Sequence, residues 1–538
     1  MPESPFSLEK RLFAPAIKTE DAVPVIFAFP NEYSIGITSL GYQIVWAMLS
    51  QRSDVDVRRL FTDIQEPLPV QPELMGFSLS WELDYVNVLT LLEQQQIPVR
   101  TEERTEDHPL VFGGGPVLSA NPEPFAAFFD VVLLGDGETL LDDFLDAYQQ
   151  VRELPRMSQL RALAQVPGVY VPALYEVSYE SADGTIASIT PIDSDIPATV
   201  KKQTYRGNVL SASTVVTEKA AWENIFMVEV VRSCPEMCRF CLASYLTLPF
   251  RAASIEASLI PAIEKGLEKT RRLGLLGASI TQHPEFEALL DYINRPEYDD
   301  VRLSMSSVRT NTVNQKLAET LVKHDSRSVT IAIESGSQRV RNIVNKKLDT
   351  EEIGAAAQTA KAGGLKALKL YGMTGVPGET TEDLAQTADL MVKLKKQTPG
   401  LRFTLGCSTF VPKSHTPFQW YGVDKDAQKR LKFLQKQLRS RGIDFRPESY
   451  SWSVIQALIS RGDRRLTPLL ELTRSYGDTL GSYKRAFKTL KGQLPTLDFY
   501  VHQAWSTDQV LPWEHLEGPL PKSTLIKHLT DAQAVMAV

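Results

Sequence analysis

From Pro24 to Tyr148, short apolar runs alternate with longer amphipathic stretches. "PVIFAFP" precedes "SLGYQIVWAMLS"; "DVDVRRLF" and "LMGFSLS" precede "YVNVLTLLEQQ"; "PLVFGGG" precedes "DVVLLGDGETLLDDFLDAY". Strand and helix periods take turns, so the pattern predicts an α/β, doubly wound parallel sheet of flavodoxin or Rossmann type. Glycines gather just after the strands, at Gly113 to Gly115, Gly135 and Gly137. An open sheet forms its ligand crevice there, although turn glycines have the same placement.

The period changes over residues 170 to 210, where "VYVPALYEVSY", a turn at Ala182-Asp183-Gly184 and "TIASITPI" predict a β-hairpin arm. A second alternating series starts at "NIFMVEVVRSC". Its strand candidates are 226–231, 275–280, 301–307, 328–334, 366–373 and 402–408, separated by helical stretches such as 254–272, 315–323, 337–346 and 381–395. Six β/α units are too few for a closed eight-unit barrel and predict a partial (βα)6 barrel, whose site would lie at the C-terminal strand ends. After Trp420 the chain reads as helical and basic. The resulting division is 1–168 doubly wound, 169–221 hairpin linker, 222–420 partial barrel and 421–538 mainly helical.

Composition agrees with several globular domains, since 538 residues with 43% hydrophobic and 23% charged residues can bury separate cores. The net charge of −7 conceals an uneven distribution: residues 425–491 hold 16 Lys and Arg against 6 Asp and Glu, a local excess of +10. That stretch is a candidate for RNA contact or a set of solvated helix faces. The N-terminus "MPESPFSLEKRLF" has no apolar signal core, and no segment approaches the ~18 apolar residues of a membrane span. A cytoplasmic protein without a membrane partner is expected.

Four cysteines in the whole chain make a disulfide scaffold implausible, yet three of them fall within "RSCPEMCRFCLASY". Cys234, Cys238 and Cys241 have the spacing C-x3-C-x2-C, with Phe240 just before the third. Three thiolates on one loop suit three corners of a cubane [4Fe-4S] cluster and leave the fourth iron open. Structural zinc would ask for a fourth ligand, and Cys407 is the only cysteine left.

The cysteine loop after a first strand, followed by five more β/α units, resembles the core of the radical S-adenosylmethionine superfamily over about residues 222–420. The resemblance implies that S-adenosylmethionine chelates the open iron. An electron from the cluster, supplied by a flavodoxin- or ferredoxin-type donor, would then give a 5′-deoxyadenosyl radical. It further places Ser306, Ser307 and Arg309 of "SMSSVRTN" near the cofactor's ribose and carboxylate. Glu334 of "IAIESGSQRV" is implied as a polar cofactor ligand, and Gly375, Val376 and Gly378 of "GVPGET" as the adenine-flanking turn. The family's Gly-Gly-Glu stretch is replaced by "GASITQHPEF", where Gln282 or His283 is the substitute on offer.

The first domain, in "GFSLSWELDYVNVLTLL" and "VFGGGPVLSANPEPFAAFFDVVLLGDGE", resembles the cobalamin-binding domain of one branch of that superfamily. The loop "FPNEYSIGITSLG" lacks the Asp-x-His-x-x-Gly motif, so cobalamin would bind without a histidine from it, with Ser78 and Ser80 near its lower face. The resemblance implies methyl transfer to an unidentified substrate. Two alternatives stand beside it: a radical RNA-modifying enzyme without cobalamin, suggested by "ESGSQRVRNIVNKK", and a non-catalytic iron–sulfur sensor. Trp513, His515 and His502 suit a packed cap better than a substrate site.

Overall fold

The computed structural model describes residues 4–537. Its N-terminal sheet contains β1 (Val23–Ala28), β2 (Val55–Leu60), β3 (Leu74–Ser78), β4 (Leu110–Gly114) and β5 (Val131–Leu133), all parallel in the order β2-β1-β3-β4-β5. A short antiparallel β6 (Val169–Tyr170) closes the far edge. Helices α1 (Leu40–Gln51), α2 (Tyr85–Gln94) and α3 (Gly137–Val151) make three of the connections. Continuous apolar runs such as Val23 to Phe29 form the strands because the helices cover both faces. The strand order reverses beside β1, which opens a crevice at the carboxyl ends of β1 and β3.

The hairpin β7 (Tyr175–Tyr179) and β8 (Ile186–Pro191) is antiparallel, and the Gly184 amide bonds the Ser181 carbonyl in its turn. Beyond it, β9 (Phe226–Arg232), β11 (Arg272–Gly277) and β12 (Arg302–Met305) run parallel, with a two-residue antiparallel β10 (Arg251–Ala252) on the β9 edge. A second parallel sheet follows in chain order: β13 (Ser328–Glu334), β14 (Ala367–Thr374), β15 (Arg402–Thr409) and β16 (Asp444–Pro447). One parallel bridge, Val308 to Ile331, joins the two sheets. The connecting helices include α4 (Ile260–Leu267), α5 (Gln315–Lys323), α6 (Gln338–Ile343), α7 (Thr381–Gln397) and α8 (Ala427–Arg439).

The mixed α/β fold with parallel sheets that the alternation predicts is present, with two local differences. The expected helix over 254–272 is shortened: a wide turn at Ile255–Leu259 leads into α4, which stops at Leu267. Strand β11 then starts at Arg272, because the apolar run Leu273 to Leu276 is drawn between β9 and β12. The segment after Trp420 is not wholly helical either, since β16 extends the second sheet.

The C-terminal helices α9 (Tyr450–Arg461), α10 (Thr467–Ser475), α11 (Leu480–Thr489), α12 (Leu497–Val501) and α13 (Lys522–Met536) share a hydrophobic core with the N-terminal sheet. Strands β9 to β16 enclose a separate core. The two ends of the chain are locked together by Arg464 on Glu123 (2.6 Å), Arg100 on Glu471 (2.6 Å) and the hydroxyls of Tyr85 and Tyr483 (3.1 Å). A few arginines of the basic stretch are therefore drawn inward, although most of its lysines and arginines stay exposed. Arg461 is buried, stacks on Trp505 and donates to the Tyr500 carbonyl. No helix among the described residues is long and apolar enough to cross a membrane.

Candidate active site

Strand β9 ends at Arg232, and the next residue, Ser233, adopts φ +69° and turns the chain into the cysteine loop. Met237 is also left-handed at φ +56°. Non-glycine residues rarely take this conformation and do so where surrounding contacts fix it. The contacts here come from the end of α6 and the residues just after it: the Arg239 amide bonds the Val344 carbonyl (3.0 Å), its guanidinium bonds the Asn342 and Ile343 carbonyls, and Asn345 Nδ2 bonds the Met237 carbonyl (2.9 Å). Arg232 itself reaches back to Glu138 (2.6 Å) at the start of α3. The loop is thus anchored at one end to the N-terminal crevice and at the other to α6.

Cys238 is buried and Cys234 and Cys241 half-buried, all as free thiols. Burial pushes the Cys238 thiol up to about 12, and Lys346 opposes that shift. Burial raises Cys241 as well, while the Ser244 and Ala243 amides work the other way. Buried thiols of this kind stay protonated until a metal displaces the proton. Three soft thiols on one loop suit three irons of a cubane, whereas structural zinc asks for a fourth protein ligand, so the donor set fits a cluster rather than zinc. Cys407 lies apart, buried within β15.

Several residues singled out in the sequence meet at this loop through a residue that was not. Glu236, inside the C-x3-C segment, accepts from Gln282 Nε2 on one oxygen and pairs with Arg309 Nη1 (3.0 Å) on the other. Glu334 ends β13 at φ +63°, where the register against β14 shifts, and it pairs with Lys346 Nζ at 2.8 Å. Burial works to lower the Lys346 pKa, but Glu334 and the Cys238 thiol outweigh it and hold it above the ordinary value. Lys346 was missed, although it sits in the quoted stretch "NIVNKK". Ser306 Oγ donates to the Gly277 carbonyl at the neighbouring strand end (3.1 Å), Ser307 is exposed, and Phe240 packs half-buried on the core. His283 is withdrawn from the site: its ring is buried, with Nε2 2.7 Å from the Ala253 carbonyl and Nδ1 accepting from the Glu285 amide.

The Gly-Val-Pro-Gly turn follows β14, with Gly375 and Gly378 at φ +75° and +79° and Val376 buried. Glu379 folds back beneath it and accepts from Thr374 Oγ1 and the Gly375 amide, both at 2.7 Å. Burial raises Glu379 to about 7. Thr380 caps α7 through a capping box with Asp383. Helix α13 closes this side: a Cβ on Gly378 would lie 2.7 Å from Met536 Cγ, and His528 Nδ1 lies 2.8 Å from the Tyr245 hydroxyl, which donates to the Met237 carbonyl.

Two cavities adjoin the loop. The first, of about 240 Å³, occupies the crevice of the N-terminal sheet between Phe27, Ser78, Phe112 and Gly135, and reaches Arg232 at the end of β9. The second, of about 200 Å³, lies where three parts of the chain meet: Ser80 and Val117, Leu242 next to Cys241, and Lys413 and Gln456. Trp513 and His515 are buried away from both, the indole donating to Gln419 Oε1 (2.8 Å).

Comparison with known proteins gives the family. Residues 63–172 match the family model for the N-terminal region of radical SAM proteins, and residues 228–391 match that of the radical SAM superfamily. An uncharacterized protein of Methanocaldococcus jannaschii is 26% identical over 465 residues, covering 86% of this chain and 94% of that one. An uncharacterized methyltransferase of Pyrococcus horikoshii is 24% identical, covering 66% and 73%. In fold the chain is similar to the radical S-adenosylmethionine methyltransferase TsrM from Kitasatospora setae, solved with cobalamin and a [4Fe-4S] cluster (TM-score 0.50, 14% identity, 74% of each chain). The chain belongs to the radical S-adenosylmethionine superfamily, and its fold is similar to that of a member solved with cobalamin. It is a radical SAM enzyme, and its cofactors are a [4Fe-4S] cluster and S-adenosylmethionine.

Proposed function

We propose that Cys234, Cys238 and Cys241 hold the cluster, that S-adenosylmethionine sits over the carboxyl ends of β9 to β15, and that the enzyme transfers a methyl group with the help of cobalamin. When bound, the cluster supplies the electron that cleaves S-adenosylmethionine to a 5′-deoxyadenosyl radical. The observation that carries the reading is the convergence of the three thiols, Glu236, Arg309, Glu334 and Lys346 on one loop. The six strands β9, β11, β12, β13, β14 and β15 act as an open (βα)6 barrel between the N-terminal domain with its hairpin linker and the C-terminal helices, which dock on the N-terminal sheet and share its core.

The protein's own residues have definite tasks in this scheme. Arg309 orients the cofactor's carboxylate, since a guanidinium fork matches two oxygens. Gln282 steadies Glu236 on the loop, Ser306 and Ser307 face the ribose, and Gly375, Val376 and Gly378 flank the adenine. Helix α13 keeps water from that side. The crevice, at about 240 Å³ too small for a whole cobalamin, would admit only part of it, with Gly114, Ser78 and Ser80 beside the group. A substrate in the junction cavity beside Leu242 lies between crevice and cysteine loop.

RNA modification is the second reading, supported by the exposed Lys432, Lys436 and Lys488 of the basic helices. The internal roles of Arg461 and Arg464 weigh against a continuous nucleic-acid face. The test is anaerobic reconstitution with iron and sulfide, reduction, addition of S-adenosylmethionine, and quantification of 5′-deoxyadenosine and S-adenosylhomocysteine with and without cobalamin. Deoxyadenosine is expected in both cases and cobalamin-dependent homocysteine product in one. An intact cluster that gives neither product, with reductant verified, overturns the proposal.

A further inference from the structure

A third cavity lies away from the cysteine loop, where α9 leaves the end of β16 and packs on α11 and α12. Its volume is about 550 Å³, within the range of sites for drug-sized molecules. Tyr450, Phe487 and Leu497 give it apolar walls. Tyr450 packs against both hydrophobic cores, so the cavity sits on the seam between the strand region and the C-terminal helices, a common position for ligand sites.

Its charged groups are of one sign. Lys484 and Lys491 line the cavity, are exposed, and form no ion pair among the described residues. No Asp or Glu lines it. His502 completes the polar part, with Nδ1 2.8 Å from the Val423 carbonyl. A carbonyl only accepts, so Nδ1 carries the proton of that bond and Nε2 is left for a ligand.

We infer that this cavity is a binding site for a small amphipathic anion: an apolar body seated against Tyr450, Phe487 and Leu497, with a carboxylate or phosphate head at Lys484 and Lys491. Lysine is suited to the head group as a compact, mobile charge at the rim, while the body is buried behind it. The site requires neither the cluster nor cobalamin, so it stands or falls independently of the proposed reaction.

The probes are decanoate, decyl phosphate, decanol and decyltrimethylammonium, titrated calorimetrically into the full chain. One saturable site is expected for the two anions, at least tenfold tighter than for the alcohol, and none for the cation. A preference between the anions identifies the head group. Both lysines are exposed, so Lys484→Glu with Lys491→Glu should leave the melting temperature unchanged and weaken anion binding at least tenfold. Ser451→Trp, which places bulk at the cavity wall, should abolish binding of every probe while the melt shows a folded chain. Absence of a saturable anion site, equal affinity for decanol, or anion binding untouched by the charge reversal would each overturn the inference.

Discussion

Lys346 Nζ stands 2.8 Å from Glu334 Oε1, both side chains are largely closed to solvent, and the pair adjoins the Cys238 and Cys241 thiols. Removing one member of a buried pair strands the other, at a cost of about 3–5 kcal/mol. Lys346→Met is therefore expected to lower stability by about that amount in denaturant melts. It also removes a positive charge beside the cluster, which disfavours the added electron, so the midpoint potential should move to more negative values in an anaerobic titration. An unchanged midpoint would show that Lys346 is structural only.

Arg309 is held by Glu236 at 3.0 Å until a ligand competes for it. Charge-assisted bonds contribute roughly 1.5–3 kcal/mol, so Arg309→Ala should raise the S-adenosylmethionine Kd about tenfold or more in the reconstituted protein. Arg309→Lys should recover little, because a point charge does not replace the fork. Calorimetry on both variants decides the matter; wild-type affinity in either removes Arg309 from the cofactor site.

Glu379 provides a pH signature. Its carboxyl is raised from 4.5 to about 7 by burial, so the protonated form is favoured in the folded state. A raised acid contributes stability that is complete below its unfolded pKa and is lost as pH rises through the folded value. Between about pH 4.5 and 7 this contribution should fall by up to about 3 kcal/mol, at about 1.4 kcal/mol per unit. Glu379→Gln retains an oxygen for Thr374 and Gly375 and should flatten that part of the profile relative to wild type. Parallel slopes for the two proteins would show that Glu379 titrates normally.

Two glycines of the crevice should respond in opposite ways. Gly135 has φ +128°, and a Cβ there would lie 2.0 Å from the Gln203 carbonyl oxygen, so Gly135→Ala should cost about 2–4 kcal/mol. Gly41, in α1, has nothing within 4 Å of its would-be Cβ and lines the same cavity. Gly41→Phe should leave the melt near wild type while filling the crevice. Cobalamin binding, followed by absorbance, should disappear in this variant; full binding would place cobalamin elsewhere.

How far the sequence reveals the structure depends on the kind of information each residue carries. The alternation over 328–334 marks β13 to the residue, because buried and half-buried side chains strictly take turns there. The cysteine spacing is local and legible for the same reason. Strand β16 was not: "DFRP" is four residues long, mostly charged or exposed, and held by β15 on one side only. His283 resembled a ligand in the sequence, since nothing local tells that its ring turns inward to Ala253. Lys346 and Glu236 became visible only when the fold brought distant segments against the loop.

The contact between Tyr245 and His528 has a consequence for how the protein is made. The two residues are 283 positions apart, so helix α13 leaves the ribosome long after the cysteine loop. At ~5–20 residues per second, about 15 to 60 s pass between them. Until then the Tyr245 hydroxyl, which holds the Met237 carbonyl of the cysteine loop, lacks its His528 partner, so the loop is made well before the wall that this helix sets beside it.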